Sequence, residues 1–173
     1  MVRLVFVFLI ATFGLSACVS TLDGRATLIS PREADAIRLT QLDLVNAVRA
    51  QVGAPPVTLS AELTSAAATH ARDMAAQLRA WNFGSDRSSP QTRAERAGFV
   101  GIVTSENVAE TFLNNVEIFQ AWVADPRARK AMQDPTATHM GLGWYQEANG
   151  KLWWVMDMGA AAPAAQLAMA ESQ

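Results

Sequence analysis

The sequence is poor in the residues that most often cross-link a secreted domain or carry chemistry in it. Its 173 residues include one cysteine, Cys18, and two histidines, His70 and His139. One cysteine excludes an intrachain disulfide and a Cys-based zinc cluster. With two histidines, any His-rich metal site or Ser/His/Asp triad must use one of them. There is no basic tract: 14 Lys and Arg stand against 16 Asp and Glu, a formal charge of −2, which argues against nucleic acid as a partner. Gly-x-Ser-x-Gly, His-Glu-x-x-His and a phosphate-cradling glycine loop are all missing. The one long apolar run, Leu4 to Leu15, is too short to span a bilayer comfortably. What remains, half apolar and 17% charged, has the composition of one globular domain.

The N-terminus reads as an export signal. Arg3 is the only charge before the apolar run, and small residues follow it. Leu15-Ser16-Ala17-Cys18 resembles the bacterial lipoprotein box, in which the thiol takes a diacylglycerol and the chain is cut just before the cysteine. The resemblance implies removal of residues 1–17 and a lipid anchor on Cys18. Two or more acyl chains hold a protein firmly to a membrane where one does not. Val19, in place of Asp, implies delivery to the outer membrane, facing the periplasm. Residues 18–36, with Gly24, Ser30, Pro31 and scattered charges, read as a lipidated tether. Residues 160–173, Ala-rich and broken by Pro163, read as a disordered tail. The domain is expected over 37–159.

Within it the pattern is helices first, sheet last. Ile37 to Val48 has helical spacing and Gly53 is placed to close it. Pro55-Pro56 force an extended connection. Ser60 caps a helix whose Leu63, Ala67, His70, Met74 and Leu78 share one face. Phe83 to Pro90 is a loop, and Pro90 opens a short helix to Ala97. Phe99 to Val103 suits a strand, Asn114 or Asn115 caps a helix that stops near Asp125-Pro126, and a short helix runs on to Met132. Thr138 to Tyr145 and Leu152 to Met158 form a hairpin around Asn149-Gly150. The class is α+β.

The order of motifs resembles one family. Leu44, Asn46 and Arg49 fit an "LxNxxR" helix. Pro56 to Leu63 is similar to "PLxxdxxL", and His70-Ala71-Arg72-Asp73-Met74-Ala75 to "HaxDMA". Gly84-Ser85-Asp86 with Ser88-Ser89-Pro90 resembles "GSDGSSP", and Ala97-Gly98-Phe99 resembles "AGY". Ser105 to Ala109 is similar to "GENIA", Ala121-Trp122 with Asp125-Pro126 to "AWxxSP", and Gly141-Leu142-Gly143 to "GVG". From about Asp43 to Gly159 the chain resembles the bacterial CAP (SCP-like) superfamily of cysteine-rich secretory proteins, antigen 5 and plant pathogenesis-related proteins. That implies an α-β-α sandwich, a small antiparallel sheet between helical layers. It also implies a cleft that in many members holds two His and two acids able to bind a divalent metal.

Carried over residue by residue, the resemblance places Asn82 and Ala128 where the two cleft histidines belong and leaves Glu106 as the retained acid. The expected cleft residues are therefore Asn82, Glu106, Ala128 and His70, with no metal and no cofactor. His70 reads either as a core histidine bonded to backbone or carboxylate, with Asp73 one turn on, or as a surviving base. His139 reads as a surface or strand-edge residue, or as a substitute for the imidazole missing at Ala128. Alternation sends Trp153 and Trp154 to opposite faces, one into the core and the other exposed or covered by a helix, where it could form a wall for lipid or glycan. Arg127, Arg129 and Lys130 are the densest cationic group, a solvated face or a contact for anionic headgroups. The reading that follows is a non-enzymatic, membrane-anchored module that binds a lipid, cell-wall or envelope-protein ligand. Two alternatives stand beside it: a hydrolase using Glu106 with His70 or His139, and a structural subunit of an envelope complex.

Overall fold

The computed structural model describes residues 28–163; the expected signal, Cys18 and most of the expected tether and tail lie outside them. Helix α1 (Pro31–Ala50) begins six residues before the expected domain boundary. Ser30 caps it, accepting from Glu33 N, while the Glu33 carboxylate returns to Ser30 N at 2.7 Å. This reciprocal cap, with Pro31 at the first helical position, turns what reads as linker into helix. The other elements are β1 (Thr58–Leu59), α2 (Ala61–Gln77), α3 (Pro90–Arg96), β2 (Gly101–Glu110), α4 (Asn115–Ala124), α5 (Pro126–Met132), β3 (His139–Gln146) and β4 (Leu152–Ala161). Strand β2 starts two residues after the expected Phe99 and runs on through Glu106 to Glu110. Ala160 and Ala161, expected in the tail, extend β4 and pair with Ile102 and Gly101.

The sheet order is β1-β3-β4-β2. It is mixed, not purely antiparallel: β1 runs parallel to β3, with Thr58 opposite His139, whereas β3/β4 and β4/β2 are antiparallel. Helical layers cover both faces, as the resemblance implies. On one face Ala67, Ala71, Met74 and Ala75 of α2 pack on Trp153 and Val155, and Leu63 and Ala66 meet Ala94 and Phe99 at α3. On the other, Val45, Ile118, Trp122 and Met132 from α1, α4 and α5 pack on Leu142, Trp154, Met156 and Met158. Trp153 and Trp154 do point to opposite faces, but both are completely buried. Trp153 donates to Glu147 Oε1 and Trp154 to Phe112 O. Neither is available as a wall for a ligand.

Two contacts set the geometry. Gly141 and Gly143 of β3 lie directly under α2: a Cβ at Gly141 would strike the Leu63–Thr64 backbone, and one at Gly143 the Ala67–Ala68 backbone. The missing side chains let helix and strand approach at backbone distance. Arg49, fully buried, ties the end of α1 to three other segments through Pro55 O (2.8 Å), Met132 O (2.8 Å), Asp134 O (2.8 Å) and Ala137 O (3.0 Å). Burial lowers its pKa and the nearby Asp134 opposes that shift.

Gly143→Ala should cost about 1–3 kcal/mol or more, the penalty of overpacking where the obstacle is backbone. Urea unfolding measures it; an unchanged midpoint would mean that α2 can lift from β3 freely.

Candidate functional site

Three of the four expected cleft residues converge, and two unexpected ones join them. Strand β2 is the sheet edge, and Glu106 stands opposite Asp157 of β4 in register. Alternation puts Asp157, Trp153 and Val155 on the α2 face of the sheet. His70 on α2 lies beneath, its Nε2 3.8 Å from Glu106 Oε1. The short helix α3 brings Arg93 in from the side, and its Nη2 donates to Glu106 Oε2 at 2.6 Å. The loop after α2 lays Asn82 across the edge, where Nδ2 donates to both Glu106 O (3.1 Å) and Oε1 (3.0 Å). The Glu106 side chain is left 1% exposed.

Arg93 and Asp157 are the residues the sequence reading missed. Arg93 is a buried cation that also donates to Ser88 O (2.7 Å) and Asn82 O (3.2 Å), so it fixes the loop that delivers Asn82. Asp157 had one visible signal: it is the lone acid in the apolar run Leu152–Gly159. It is 1% exposed and neither oxygen has a hydrogen-bond donor. Burial, then the neighbouring Glu106 carboxylate, push its pKa well up. Burial beside the Glu106 carboxylate thus favours the protonated, neutral form of Asp157.

His70 is the core histidine bonded to backbone. Its Nε2 lies 2.7 Å from Trp81 O, and a carbonyl only accepts, so Nε2 carries the proton. Burial lowers its pKa, against the pull of Glu106. The expected Asp73 partner goes elsewhere: Asp73 accepts from Ser85 N (2.7 Å) and Ser85 Oγ (2.6 Å) and anchors the loop. His139 is not brought to the cluster. Its Nδ1 bonds Thr138 Oγ1 at 2.8 Å and its ring meets Phe99 edge-on. Phe99 belongs to the α2–α3 side, whereas Ala128 packs on the opposite side, so His139 does not replace an imidazole there.

Ala128 and Asn82 do share a cavity with Glu106, about 320 Å³ along the outer edge of β2 toward α5. As a donor set they do not fit a divalent transition metal. Ala128 offers a methyl group, Asn82 spends its amide N–H on Glu106, and Glu106 is tied to a guanidinium. Among the described residues no three His, Cys, Asp or Glu side chains converge to hold an ion.

Glu106→Gln should destabilise by about 3–5 kcal/mol, because it leaves Arg93 buried and uncompensated. Adding Arg93→Met should recover part of that loss in urea unfolding; strictly additive losses would show the pair is uncoupled. The two shifted pKa values act with opposite signs. The unfolded chain releases the Asp157 proton near a pH of about 4, while the native acid keeps it, so this group opposes folding increasingly above about pH 4. Below about pH 6.5 the unfolded chain protonates at His70 and the native chain resists, so stability falls as pH drops. Asp157→Asn retains a neutral donor, and should exceed the wild type in stability at about pH 8 but not at about pH 4. An identical pH slope would assign the proton elsewhere.

Residues 42–158 match the CAP, Cysteine-rich secretory protein family. The uncharacterized protein YkwD of Bacillus subtilis is 24% identical over 127 residues, 73% of this chain and 49% of the relative. The chain therefore spans about half the length of that curated relative. Among solved structures, an extracellular protein with an SCP domain from Bacillus anthracis superposes with a TM-score of 0.66 at 17% identity, covering 78% of this chain and 45% of the other. An outer surface protein from Borrelia burgdorferi gives 0.65 at 13% identity, covering 72% and 92%. The CAP domain of enterococcal PrgA gives 0.56 at 14% identity, covering 76% and 63%. The sheet, its two helical layers and the match across most of the chain make this a member of the CAP, Cysteine-rich secretory protein family.

Proposed function

We propose that this is an exported, lipid-anchored CAP-domain protein of the bacterial envelope. It works as a binding module rather than as a metalloprotein or hydrolase. The observation that carries the reading is the state of Glu106. Its carboxylate accepts from Asn82 and Arg93, and its side chain is sealed from solvent, out of reach of substrate or ion. A general base or metal ligand needs a free lone pair within reach of substrate or ion. His70 offers no substitute, because its Nε2–H is committed to Trp81 O and its Nδ1 is buried out of reach of solvent. With Asn82 and Ala128 at the ligand positions, the cleft keeps the family's shape without its metal chemistry. It serves to hold a lipid, cell-wall or envelope-protein ligand.

Export is supported by the Arg3 and Leu4–Leu15 signal and by relatives described as extracellular and as an outer surface protein. No helix among the described residues is long and apolar enough to cross a membrane; the attachment at Cys18 rests on the likeness of Leu15-Ser16-Ala17-Cys18 to the lipoprotein box.

Full-length protein should partition with membranes and incorporate labelled fatty acid, while Cys18→Ser is released and unlabelled; labelled Cys18→Ser would overturn the anchor. Protein purified without chelator should contain far less than one zinc per chain. Stoichiometric zinc would overturn the proposed loss of metal binding.

A further inference from the structure

Strand β2 forms one edge of the sheet, and its pairing shows which main-chain groups look outward. Thr111 N donates to Leu152 O at 2.9 Å. Thr111 therefore turns its main-chain groups toward β4, and in the β2/β4 register so do Ala109, Asn107 and Ser105. The residues between them, Glu106, Val108 and Glu110, turn theirs to the open side. Side-chain amides cover part of that side. Gln91 accepts from Val103 N (2.8 Å) and donates to Gly101 O (3.0 Å), the two bonds that a neighbouring strand would make. Asn82 donates to Glu106 O at 3.1 Å. Among the described residues nothing bonds to the main-chain groups of Val108 or Glu110 on that side. Folded proteins normally blunt an open strand edge, because its unpaired groups are a template for another chain. On β2 the blunting stops at Glu106.

The uncovered stretch begins inside the cleft. Its cavity of about 320 Å³ is lined by Glu106, Asn107 and Val108 of the edge, by Asn82 from the α2 side, and by Trp122 and Ala128 from the α4–α5 side. The edge of the sheet is thus the floor of a slot between the two layers that enclose the sheet. We infer that this slot docks an extended segment of another protein, which adds a further strand beside β2. Val108 offers one donor and one acceptor, and Glu110 repeats the pair two residues on, about 6.8 Å away. An extended polypeptide carries the matching acceptor and donor at the same interval, so a single residue opposite Val108 can exchange both bonds with it. An acyl chain has no group to offer there, and a sugar carries no such repeat. Ala128 presents only a methyl group on its wall, which leaves room for a side chain of the added strand. The slot is part of the proposed binding cleft and rests on that reading, with the ligand narrowed to a polypeptide.

The test uses the ¹⁵N-labelled full-length chain in detergent micelles. In the free protein the Val108 and Glu110 amides should exchange with solvent faster than those of Asn107 and Ala109, which pair with β4. Equal protection would show the edge already covered, by this chain or by a second copy, and would overturn the inference. The probe is a capped hexapeptide amide of alternating Thr and Val, with its fully N-methylated form, palmitate and N-acetylglucosamine as comparisons. The peptide should saturably shift the Val108 and Glu110 amide resonances and slow their exchange. Its N-methylated form keeps the side chains but has no main-chain donor, and should bind at least about tenfold more weakly, the loss of one or two hydrogen bonds. Ala128→Phe, which fills the slot, should weaken the peptide to a similar degree; the N-methylated peptide gives the same answer without relying on a variant to fold. Absence of peptide binding at millimolar concentration, or equal binding of the N-methylated form, would overturn the inference. Palmitate or N-acetylglucosamine acting at Val108 where the peptide does not would overturn the added strand yet leave the cleft a binding site, so the two failures are distinguishable.

Discussion

Helix α2 rests on strand β3 with almost no side chain between them. That one approach, opened by Gly141 and Gly143 and matched by Ala67 and Ala68, decides where everything on that face sits. A helix held this close lets His70 reach past the strand it covers to Glu106 on the sheet edge. It also closes the apolar layer over Trp153 and Val155, leaving no path for water to Asp157. A Leu or Val at either glycine would push the helix outward by the thickness of a side chain. The cluster would then open as a unit, since each member is held by the next.

That cluster is an arrangement of charge made for permanence. One acid is neutral, one is paired, the guanidinium is nearly saturated, and the imidazole is neutral with its proton pinned. Sites that turn over substrate keep at least one group underused, so that it can gain a bond in the transition state. Here, on the cleft side, the spare capacity has been used to hold Asn82 and the 81–90 loop in place. Asp73 and Asp86 do the same work further along that loop. Hydrogen bonds from Ser88 and Arg96 hold Asp86 well below the usual carboxylate range. Gly84 leaves room for the turn, because a Cβ there would meet the Ser88 hydroxyl.

Much of this was legible in the sequence. Caps at Ser60 and Asn114 show where helices begin, helical spacing locates the long helices, and the family resemblance implied the two helical layers. The start of α1 was legible too: Ser30-Pro31 followed by Glu33 is a capping signature that loop-like composition outweighed. The partners of Glu106 were harder. Arg93 lies 13 residues away on a short helix, and Asp157 lies on another strand, so their meeting depends on register and on the loop path. A sequence shows that Asp157 is an acid in an apolar strand, but not which neighbour shares its proton. The parallel pairing of the two-residue β1 carried no signal, since two residues cannot show a period.

The chain enters the domain at a definite place. Ile29 N donates to Gln146 Oε1 at 2.9 Å, fixing the entry beside the β3–β4 hairpin. The first residues of β2, and the α3 helix bonded to them through Gln91, lie at the other end of the sheet. The α3 end therefore lies across the length of the sheet from the point where the chain enters the domain.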